Sequence, residues 1–271
     1  MRQGFLGLLG LLLLACAAPA VAQSRYYDLE RWTDSAAAIL PAKPQSWRGV
    51  FAAGAAGAPT YLGSDQYEAK ALGIAEVEYR NTVFASTRKG IGAYVFKDGR
   101  FRAGVRATAD FGRDSADDDF LTGLPDVDPG LELGLLAEFY TGSFRVRGDI
   151  RQEVAGGHGG ALFNIEAAYG GRWSKNASLI LGMNGTLMSD GYAESYFSVD
   201  KADAKPGRPA FAAGLGVRDV GVFAQLIYDV TRDVFVSADL RGNLLLMDAA
   251  DSPLSVNDPQ FFGGVMVGYR F

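Results

Sequence analysis

The chain contains a single histidine, His158, which lies between pairs of glycines in the segment 155–160 (Ala-Gly-Gly-His-Gly-Gly). A hydrolase built on a serine–histidine or aspartate–histidine pair would have to use this residue as its general base. A histidine flanked by four glycines is more typical of a turn, and we favour that interpretation. The sequence therefore predicts no catalytic residue and a protein that is not an enzyme.

Patterns for metals and cofactors are also sparse. One cysteine, Cys16, and one histidine are too few for a His/Cys metal cluster. The acidic segment 114–119 (Asp-Ser-Ala-Asp-Asp-Asp) could attract Ca²⁺, but it lacks the ligand spacing of a calcium loop, and a solvated loop is favoured. The sequence carries neither a phosphate-binding P-loop nor a dinucleotide fingerprint. We therefore expect no metal ligand and no cofactor.

The N-terminus has the organisation of an export signal. Arg2 precedes an apolar run over residues 5–14, and residues 20–22 (Ala-Val-Ala) offer the small side chains that a signal peptidase reads. This pattern predicts a signal peptide over residues 1–22 and an N-terminal periplasmic segment over residues 23–45. The protein is therefore expected to leave the cytoplasm.

Residues 13–16 (Leu-Leu-Ala-Cys) offer an alternative processing site. They resemble a lipobox, which leaves open that Cys16 is acylated and becomes the N-terminus, although cleavage after Ala22 is favoured.

The composition bounds the function further. The formal net charge is −5, and a mildly acidic chain argues against nucleic acid as a partner. Beyond the first segment, no apolar run approaches the roughly eighteen residues that a membrane-spanning helix needs.

From about residue 46 the dominant pattern alternates with period two. In segments 101–111 and 144–154, apolar residues alternate with residues that are mostly charged. A strand with this pattern has one apolar face and one polar face. If such strands close into a barrel with the polar face inward, the candidate charges of the lumen are Arg102, Arg106, Arg145, Arg147, Asp149, Arg151 and Glu153.

Segments of the same kind recur over the whole chain. They are residues 47–58, 69–80, 83–96, 101–111, 131–140, 144–154, 161–173, 177–187, 209–217, 220–230, 234–246 and 260–271. Strands of this length cross a bilayer at a tilt, and tight turns such as residues 97–99 join several of them. We therefore predict an all-β fold over residues 46–271, a transmembrane antiparallel up-and-down β-barrel of roughly 12 strands (about 10–14). The inferred long loops do not all fall on one side of a twelve-strand meander.

The alternative to a membrane barrel is a soluble β-sandwich, whose strands alternate in the same way. The last residues favour the barrel, because Val265, Val267, Tyr269 and Phe271 alternate up to a terminal phenylalanine. This pattern resembles the C-terminal signal that the outer-membrane assembly machinery recognises. The expected location is the outer membrane of a Gram-negative bacterium, in contact with its lipid and lipopolysaccharide.

Several stretches resemble a known family. They are residues 58–67 (Ala-Pro-Thr-Tyr-Leu-Gly-Ser-Asp-Gln-Tyr), 77–80, 88–92, 192–199 and 246–254 (Leu-Met-Asp-Ala-Ala-Asp-Ser-Pro-Leu). In this order they are similar to the MipA/OmpV family of outer-membrane proteins. The residues of the motif loop are Pro59, Tyr61, Gly63, Ser64, Tyr67, Ser252 and Pro253. Residues 197–199 are Phe-Ser-Val where Phe-Gly-Val is common in the family, which puts the local turn in question.

The resemblance implies a barrel without catalytic residues. Family members are described as scaffolds that bring a murein lytic transglycosylase together with a murein synthase, and others as porin-like or adhesive proteins. Two functions therefore remain open for this chain: a scaffold linked to murein synthesis and turnover, or a narrow porin-like channel for small solutes. Residues 61–67 are either an interaction surface or, as we favour, a structural turn.

Overall fold

The computed structural model describes residues 47–271, and the predicted signal peptide and periplasmic segment lie outside them. Twelve antiparallel strands form a closed barrel in which each strand pairs with its neighbours in chain order and the last pairs with the first. The strands are β1 (Trp47–Pro59), β2 (Tyr67–Tyr79), β3 (Val83–Ser86), β4 (Gly90–Lys97), β5 (Phe101–Asp110), β6 (Gly130–Thr141), β7 (Phe144–Gly156), β8 (Ala161–Arg172), β9 (Ala177–Met188), β10 (Gly216–Asp229), β11 (Val234–Leu245) and β12 (Pro259–Arg270). The predicted all-β, up-and-down barrel of roughly twelve strands is confirmed.

The predicted number of twelve strands is right, but it results from two errors that cancel, one strand too few and one strand too many. The predicted strand 83–96 is two strands, β3 and β4, separated by residues 87–89. In this turn Arg88 and Lys89 fold back into the barrel, where both bind Glu76 of β2. These ion pairs hold residues 87–89 in a turn, so the segment 83–96, which the sequence predicts as one strand, forms two.

The predicted strand 209–217 does not form. Residues 209–215 belong to a long connection that contains helix α1 (Asp190–Phe197), and β10 begins at Gly216. Arg208 anchors this connection, because its buried guanidinium donates to the carbonyl oxygens of Phe120 and Thr122. The stretch is a loop in which Ala210, Ala212 and Leu215 are exposed. The alternation alone does not distinguish such a loop from a strand.

With these corrections, all the long connections lie at one end of the barrel. The connections after the odd-numbered strands are residues 60–66, 87–89, 111–129, 157–160, 189–215 and 246–258, and we call this end the long-loop rim. The connections after the even-numbered strands are residues 80–82, 98–100, 142–143, 173–176 and 230–233, and we call this end the turn rim. The sequence-based prediction placed long loops at both ends of the barrel because these two strands were assigned wrongly.

The outer surface of the barrel is apolar. Large hydrophobic side chains alternate outward along the strands, among them Leu131, Leu133, Leu135, Ile150, Ile165, Leu181, Met183, Val222, Val265 and Val267. A surface of this extent would be a liability in water, whereas it is the expected face of a barrel in lipid. Exposed aromatic side chains such as Trp47, Trp173 and Tyr228 lie near the turn rim, where an interfacial girdle forms. Within residues 47–271, no helix is long and apolar enough to cross a membrane.

Candidate functional site in the barrel interior

The seven charged residues that the alternation predicts for the lumen lie on the inner face of β5 and β7. Six of them are buried, and Arg102 exposes 13% of its side chain. Their apolar neighbours on the same strands, such as Val105 and Ile150, are exposed on the outside. Buried charges cost free energy unless they are paired, so the contacts of these residues decide what they do.

One group of ion pairs centres on Asp149. Its Oδ1 lies 2.6 Å from Nη2 of Arg106 and 3.5 Å from Nε of Arg151, and Nδ2 of Asn164 donates to it at 3.1 Å. Arg151 also donates from Nη1 to Oε2 of Glu132 at 3.1 Å. This group links four consecutive strands, β5 to β8, across the inside of the barrel.

A second group centres on Glu138 of β6. Arg102 donates to this carboxylate, and Nε of Arg147 lies 4.0 Å from its Oε1. The hydroxyls of Tyr94 and Tyr140 donate to its Oε2 at 3.2 and 2.9 Å. Glu138 is 1% exposed, so three hydrogen-bond donors and the Arg147 guanidinium surround a carboxylate that has almost no contact with water.

Sequence reasoning did not single out the acidic partners of these arginines. They are Glu78, Glu132, Glu138 and Glu166, while Glu76 pairs with Arg88 and Lys89. The signal was present, because residues 75–79 (Ala-Glu-Val-Glu-Tyr) and 131–133 (Leu-Glu-Leu) alternate as the arginine strands do. Of the remaining candidates, Arg145 donates to Glu166, and Glu153 lies 3.4 Å from the His158 ring.

The opposite side of the interior combines apolar side chains with buried polar ones such as Asn184, Gln225 and Arg241. It is formed mainly by β9 to β12 with β1 and β2, and its side chains include Ile74, Ile180, Ile227, Phe235, Phe262 and Met266. A cavity of about 30 Å³ lies among them and is also lined by Arg88 and Arg270. That volume holds about two water molecules. The inner side chains on both sides are buried, so they fill this part of the barrel.

At the long-loop rim, four of the connections fold over the barrel as a cap, which we define as residues 60–66, 111–129, 189–215 and 246–258. In this cap, α1 buries Tyr192, Tyr196 and Phe197 against strand ends. A second apolar cluster joins Tyr61, Leu121, Leu124, Val199 and Leu254. The cap also contains one turn of 3₁₀ helix (Asp119–Leu121) and the short helix α2 (Asp248–Asp251).

The first segment of the motif loop, around Gly63, contacts the chain just after its second segment, Ser252 and Pro253, inside the cap. Gly63 has φ +100°, and a Cβ there would lie 2.8 Å from Cα of Ser255. Its amide donates to Oε1 of Gln260 at 3.2 Å, and its carbonyl accepts from the amide of Asn257 at 2.9 Å. This close approach of two backbones requires glycine, because any side chain would separate the loops.

The other motif residues are mostly structural as well. Ser252 is buried, and its hydroxyl donates to the carbonyl of Phe197 at 2.6 Å. Ser64 and Tyr61 are buried, whereas Tyr67 is 46% exposed and its hydroxyl accepts from the amide of Phe261 at 3.2 Å. Pro59 is the last residue of β1, and Pro253 lies half-buried after α2. The contacts of residues 61–64 are those of a structural turn.

His158 lies in the connection 157–160, as predicted, but its side chain is not a solvent-exposed turn residue. The residue is 3% exposed and lies under α1, with the Tyr192 ring 4.8 Å away at 71°. Nε2 of the imidazole lies 3.6 Å from Oε1 of Glu132 and 4.0 Å from Oδ2 of Asp110. The glycines around His158 therefore allow the chain to turn inward and bury the ring among carboxylates.

The cap holds this histidine cluster from above. The hydroxyl of Tyr196 donates to Oδ1 of Asp110 at 2.6 Å, and Nη1 of Arg113 donates to the carbonyl of Tyr196 at 2.8 Å. Burial, and next the charge of Asp110, raises the pKa of Tyr196 well above its ordinary value. Burial likewise raises the pKa of Tyr61. Both phenols therefore stay neutral at physiological pH, and Tyr196 remains a hydrogen-bond donor.

The acidic segment 114–119 uses its carboxylates to shape the loop. Asp118 is 8% exposed, and its Oδ2 accepts from the hydroxyls of Thr60 and Ser64 at 2.6 and 3.2 Å. Asp114 and Asp117 accept hydrogen bonds from backbone amides of the same turn.

In the part of the chain that the structure describes, the side chains of Asp110, Glu132 and His158 lie close enough together to share a metal ion.

A closed antiparallel barrel with an apolar exterior and an ion-paired, packed interior places the chain in the class of membrane-spanning β-barrels. The family described as MltA-interacting protein MipA matches residues 51–271, and the chain belongs to this family. The family assignment from the sequence motifs is thereby confirmed. No curated protein sequence matches the chain.

Solved structures of outer-membrane proteins also align with it. The outer membrane channel DcaP of Acinetobacter baumannii is 11% identical with a TM-score of 0.41, over 83% of this chain and 96% of that chain. OmpT of Vibrio cholerae is 9% identical with a TM-score of 0.41, over 85% and 99%. The NanC porin is 7% identical with a TM-score of 0.41, over 82% and 98%. At these scores the likeness carries no conclusion about function.

Proposed function

We propose that the chain is a closed outer-membrane barrel that acts as a scaffold or interaction protein for murein synthesis and turnover. The filled interior carries this proposal, because ion pairs occupy one side, apolar and hydrogen-bonded polar side chains occupy the other, and the cap covers the long-loop rim. A barrel filled in this way leaves its rims as the surfaces through which it acts. The family description, an MltA-interacting protein, names a murein transglycosylase as partner and supports this role.

The arrangement of the connections supports an orientation in the membrane. Outer-membrane barrels have long loops outside the cell and short turns in the periplasm. By this rule the turn rim faces the periplasm, where murein lies, and the apolar exterior contacts lipid and lipopolysaccharide. By the same rule β1 begins at the periplasmic end, because Trp47 lies at the turn rim.

The turn rim has the charge of a docking surface for an acidic partner. Its exposed basic residues are Arg80, Arg100, Lys175 and Arg232, with Lys97 and Arg172 at the adjoining strand ends, against the exposed acidic residues Asp98 and Asp233. The chain as a whole is acidic, with a formal net charge of −5. A local excess of positive charge on an acidic protein steers acidic surfaces to that place. We assign this rim as the contact for a lytic transglycosylase and a murein synthase.

An enzymatic role finds no support at His158. A hydrolase needs a nucleophile within hydrogen-bond distance of the ring, whereas the hydroxyl of Ser195 donates to the backbone carbonyl of His158 at 3.2 Å.

A narrow channel is the alternative to scaffolding. The 30 Å³ cavity between Ile74 and Ile227 is the feature that a channel would have to widen.

Conductance tests the closed barrel. Refolded full-length protein in planar bilayers is expected to give no stable current steps, because paired charges and apolar side chains block the interior. Heat-modifiable migration in detergent gels checks that the same preparation is folded. Reproducible steps from folded protein would favour the channel and would contradict the scaffold as the main role.

Site-directed photocrosslinking tests the docking surface. A photoreactive residue at Arg100 or Arg232, on the turn rim, is expected to capture a lytic transglycosylase or a murein synthase in intact envelopes. The same group at Lys201, which is exposed on the long-loop rim, serves as the control and should capture neither. If Lys201 captures murein enzymes as well as the turn rim does, or if neither rim captures them, the assignment is wrong.

A further inference from the structure

We propose that His158, Glu132 and Asp110 form a binding site for a divalent metal of the zinc class, enclosed by the cap. One ligand atom from each residue lies within 4.8 Å of the others. An imidazole nitrogen with two carboxylate oxygens is a donor set that suits Zn²⁺ and leaves a fourth position for water. The site lies beneath α1 and shares Glu132 with the Asp149 group of ion pairs.

Two of the ligand atoms are buried and unsatisfied. Nε2 of His158 and Oε1 of Glu132 have no hydrogen-bond partner, and these residues are 3% and 0% exposed. The two atoms face each other at 3.6 Å. Leaving a buried imidazole nitrogen and a buried carboxylate oxygen without partners costs free energy. A metal between them would satisfy both.

The other oxygen of each carboxylate is already held. Oε2 of Glu132 accepts from Oγ1 of Thr108 at 2.9 Å and from Nη1 of Arg151 at 3.1 Å. Oδ1 of Asp110 accepts from the hydroxyl of Tyr196 at 2.6 Å. Both carboxylates are therefore oriented with one oxygen left for the shared point. Hydrogen bonds of this kind are what orients metal ligands in proteins.

The second ring nitrogen of His158, Nδ1, also lies near a carboxylate. Nδ1 of His158 accepts from the amide of Gly160 at 2.9 Å and lies 3.4 Å from Oε2 of Glu153. Metal binding at Nε2 requires the ring proton to move to Nδ1. The amide of Gly160 then loses its acceptor, and Glu153 becomes the acceptor of the ring proton. A carboxylate in this position fixes the tautomer and raises the basicity of the ligand.

Distance and charge also fit a divalent ion. Zinc bonds of about 2.0–2.2 Å place tetrahedral ligand atoms roughly 3.3 Å apart. The present 3.6 and 4.0 Å to Nε2 therefore require a small closure, and the two carboxylates, whose ligand atoms lie within 4.8 Å of each other, require a larger one. Asp110, Glu132 and Glu153 bring three negative charges, and Arg151 brings one positive charge to Glu132. Arg113 donates instead to the carbonyl of Tyr196. A divalent cation balances the remaining charge.

The test uses the full chain without a histidine tag, refolded in detergent and freed of metal with a chelator. Titration with Zn²⁺ alone is expected to give one-to-one binding by calorimetry and a higher unfolding temperature. X-ray absorption of the zinc-loaded protein should contain the scattering of one imidazole. Since the sequence has one histidine, that signal assigns the metal to His158 without any substitution.

Substitutions test the individual ligands. His158→Gln and Glu132→Gln are expected to lower the zinc affinity by more than about 100-fold, and Glu153→Gln by about 10–100-fold. Asp119→Asn, an exposed acidic residue of the cap, is the matched control and should bind like the wild type. Heat-modifiable migration checks the fold of each variant. Absence of zinc binding by the folded wild type, equal binding by His158→Gln, or a zinc site without imidazole would overturn the proposal.

Discussion

Replacing Glu138 with alanine is expected to cost the barrel about 3–5 kcal/mol of unfolding free energy, because it removes the carboxylate that Arg102 and the buried Arg147 share. Glu78, at 3.6 Å, is then the remaining carboxylate near Arg102. Arg102 donates to Glu138, and Arg147 lies within 4.0 Å of it. The hydroxyls of Tyr94 and Tyr140 lose the same acceptor. Equilibrium unfolding by guanidinium in lipid vesicles, followed by tryptophan fluorescence, measures the difference.

The control for this variant is Glu194→Ala, which removes an exposed carboxylate from α1. A surface substitution of this kind should change stability by no more than about 0.5 kcal/mol. A small effect of Glu138→Ala, similar to that of the control, would mean that water enters the interior and solvates the free arginines. In that case the interior is not closed, and the channel becomes the better account of function.

Replacing Tyr192 with alanine is expected to release the cap while the barrel stays folded. Tyr192 is fully buried, stacks on Tyr196 with ring centroids 4.5 Å apart, and accepts a hydrogen bond from Arg218 at 2.9 Å. Removing a buried aromatic ring costs about 3–5 kcal/mol. If this loss falls on the cap alone, opening of the cap becomes more than about a hundredfold more frequent. Trypsin cleavage after Lys201 measures it, since Lys205 and Arg208 are both followed by proline and are not trypsin sites.

Tyr67→Ala is the matched control at the same rim, since the Tyr67 side chain is 46% exposed. It should leave trypsin cleavage within the connection 189–215 close to the wild-type rate. The barrel of both variants should keep its heat-modifiable migration. Tyr192→Ala protein that resists trypsin as the wild type does would mean that the contacts of Arg208 with Phe120 and Thr122 hold the cap without α1.

Much of the fold could be predicted from the alternation, and the errors have a common cause. A period of two reports which face a side chain takes, but it does not report whether the backbone continues. The segment 83–96 kept its alternation across a turn, and the segment 209–217 resembled a strand while lying in a loop. Both places are decided by distant charges, Glu76 acting on Arg88 and the carbonyls of residues 120 and 122 acting on Arg208.

The candidate sites divide in the same way. The inner position of the charges on β5 and β7 follows from the local sequence, because successive side chains of a strand point to opposite faces. The pairing of each charge depends on the register between strands, such as Arg102 opposite Glu138 and Arg147 opposite Glu138. His158 has no such local signal. Its neighbours Asp110 and Glu132 come from other strands and meet it only because the barrel closes and the cap covers it.

By itself, the sequence determined the family, the all-β barrel with its apolar outside and charged inside, and the absence of a recognisable catalytic motif. These follow from residue type and period, which act over a few neighbouring residues. The tertiary structure alone decided that the interior is filled, that the long connections share one rim, and that a histidine among glycines lies buried against carboxylates. These depend on contacts between residues far apart in the chain, which form only when strand register and loop packing bring them together.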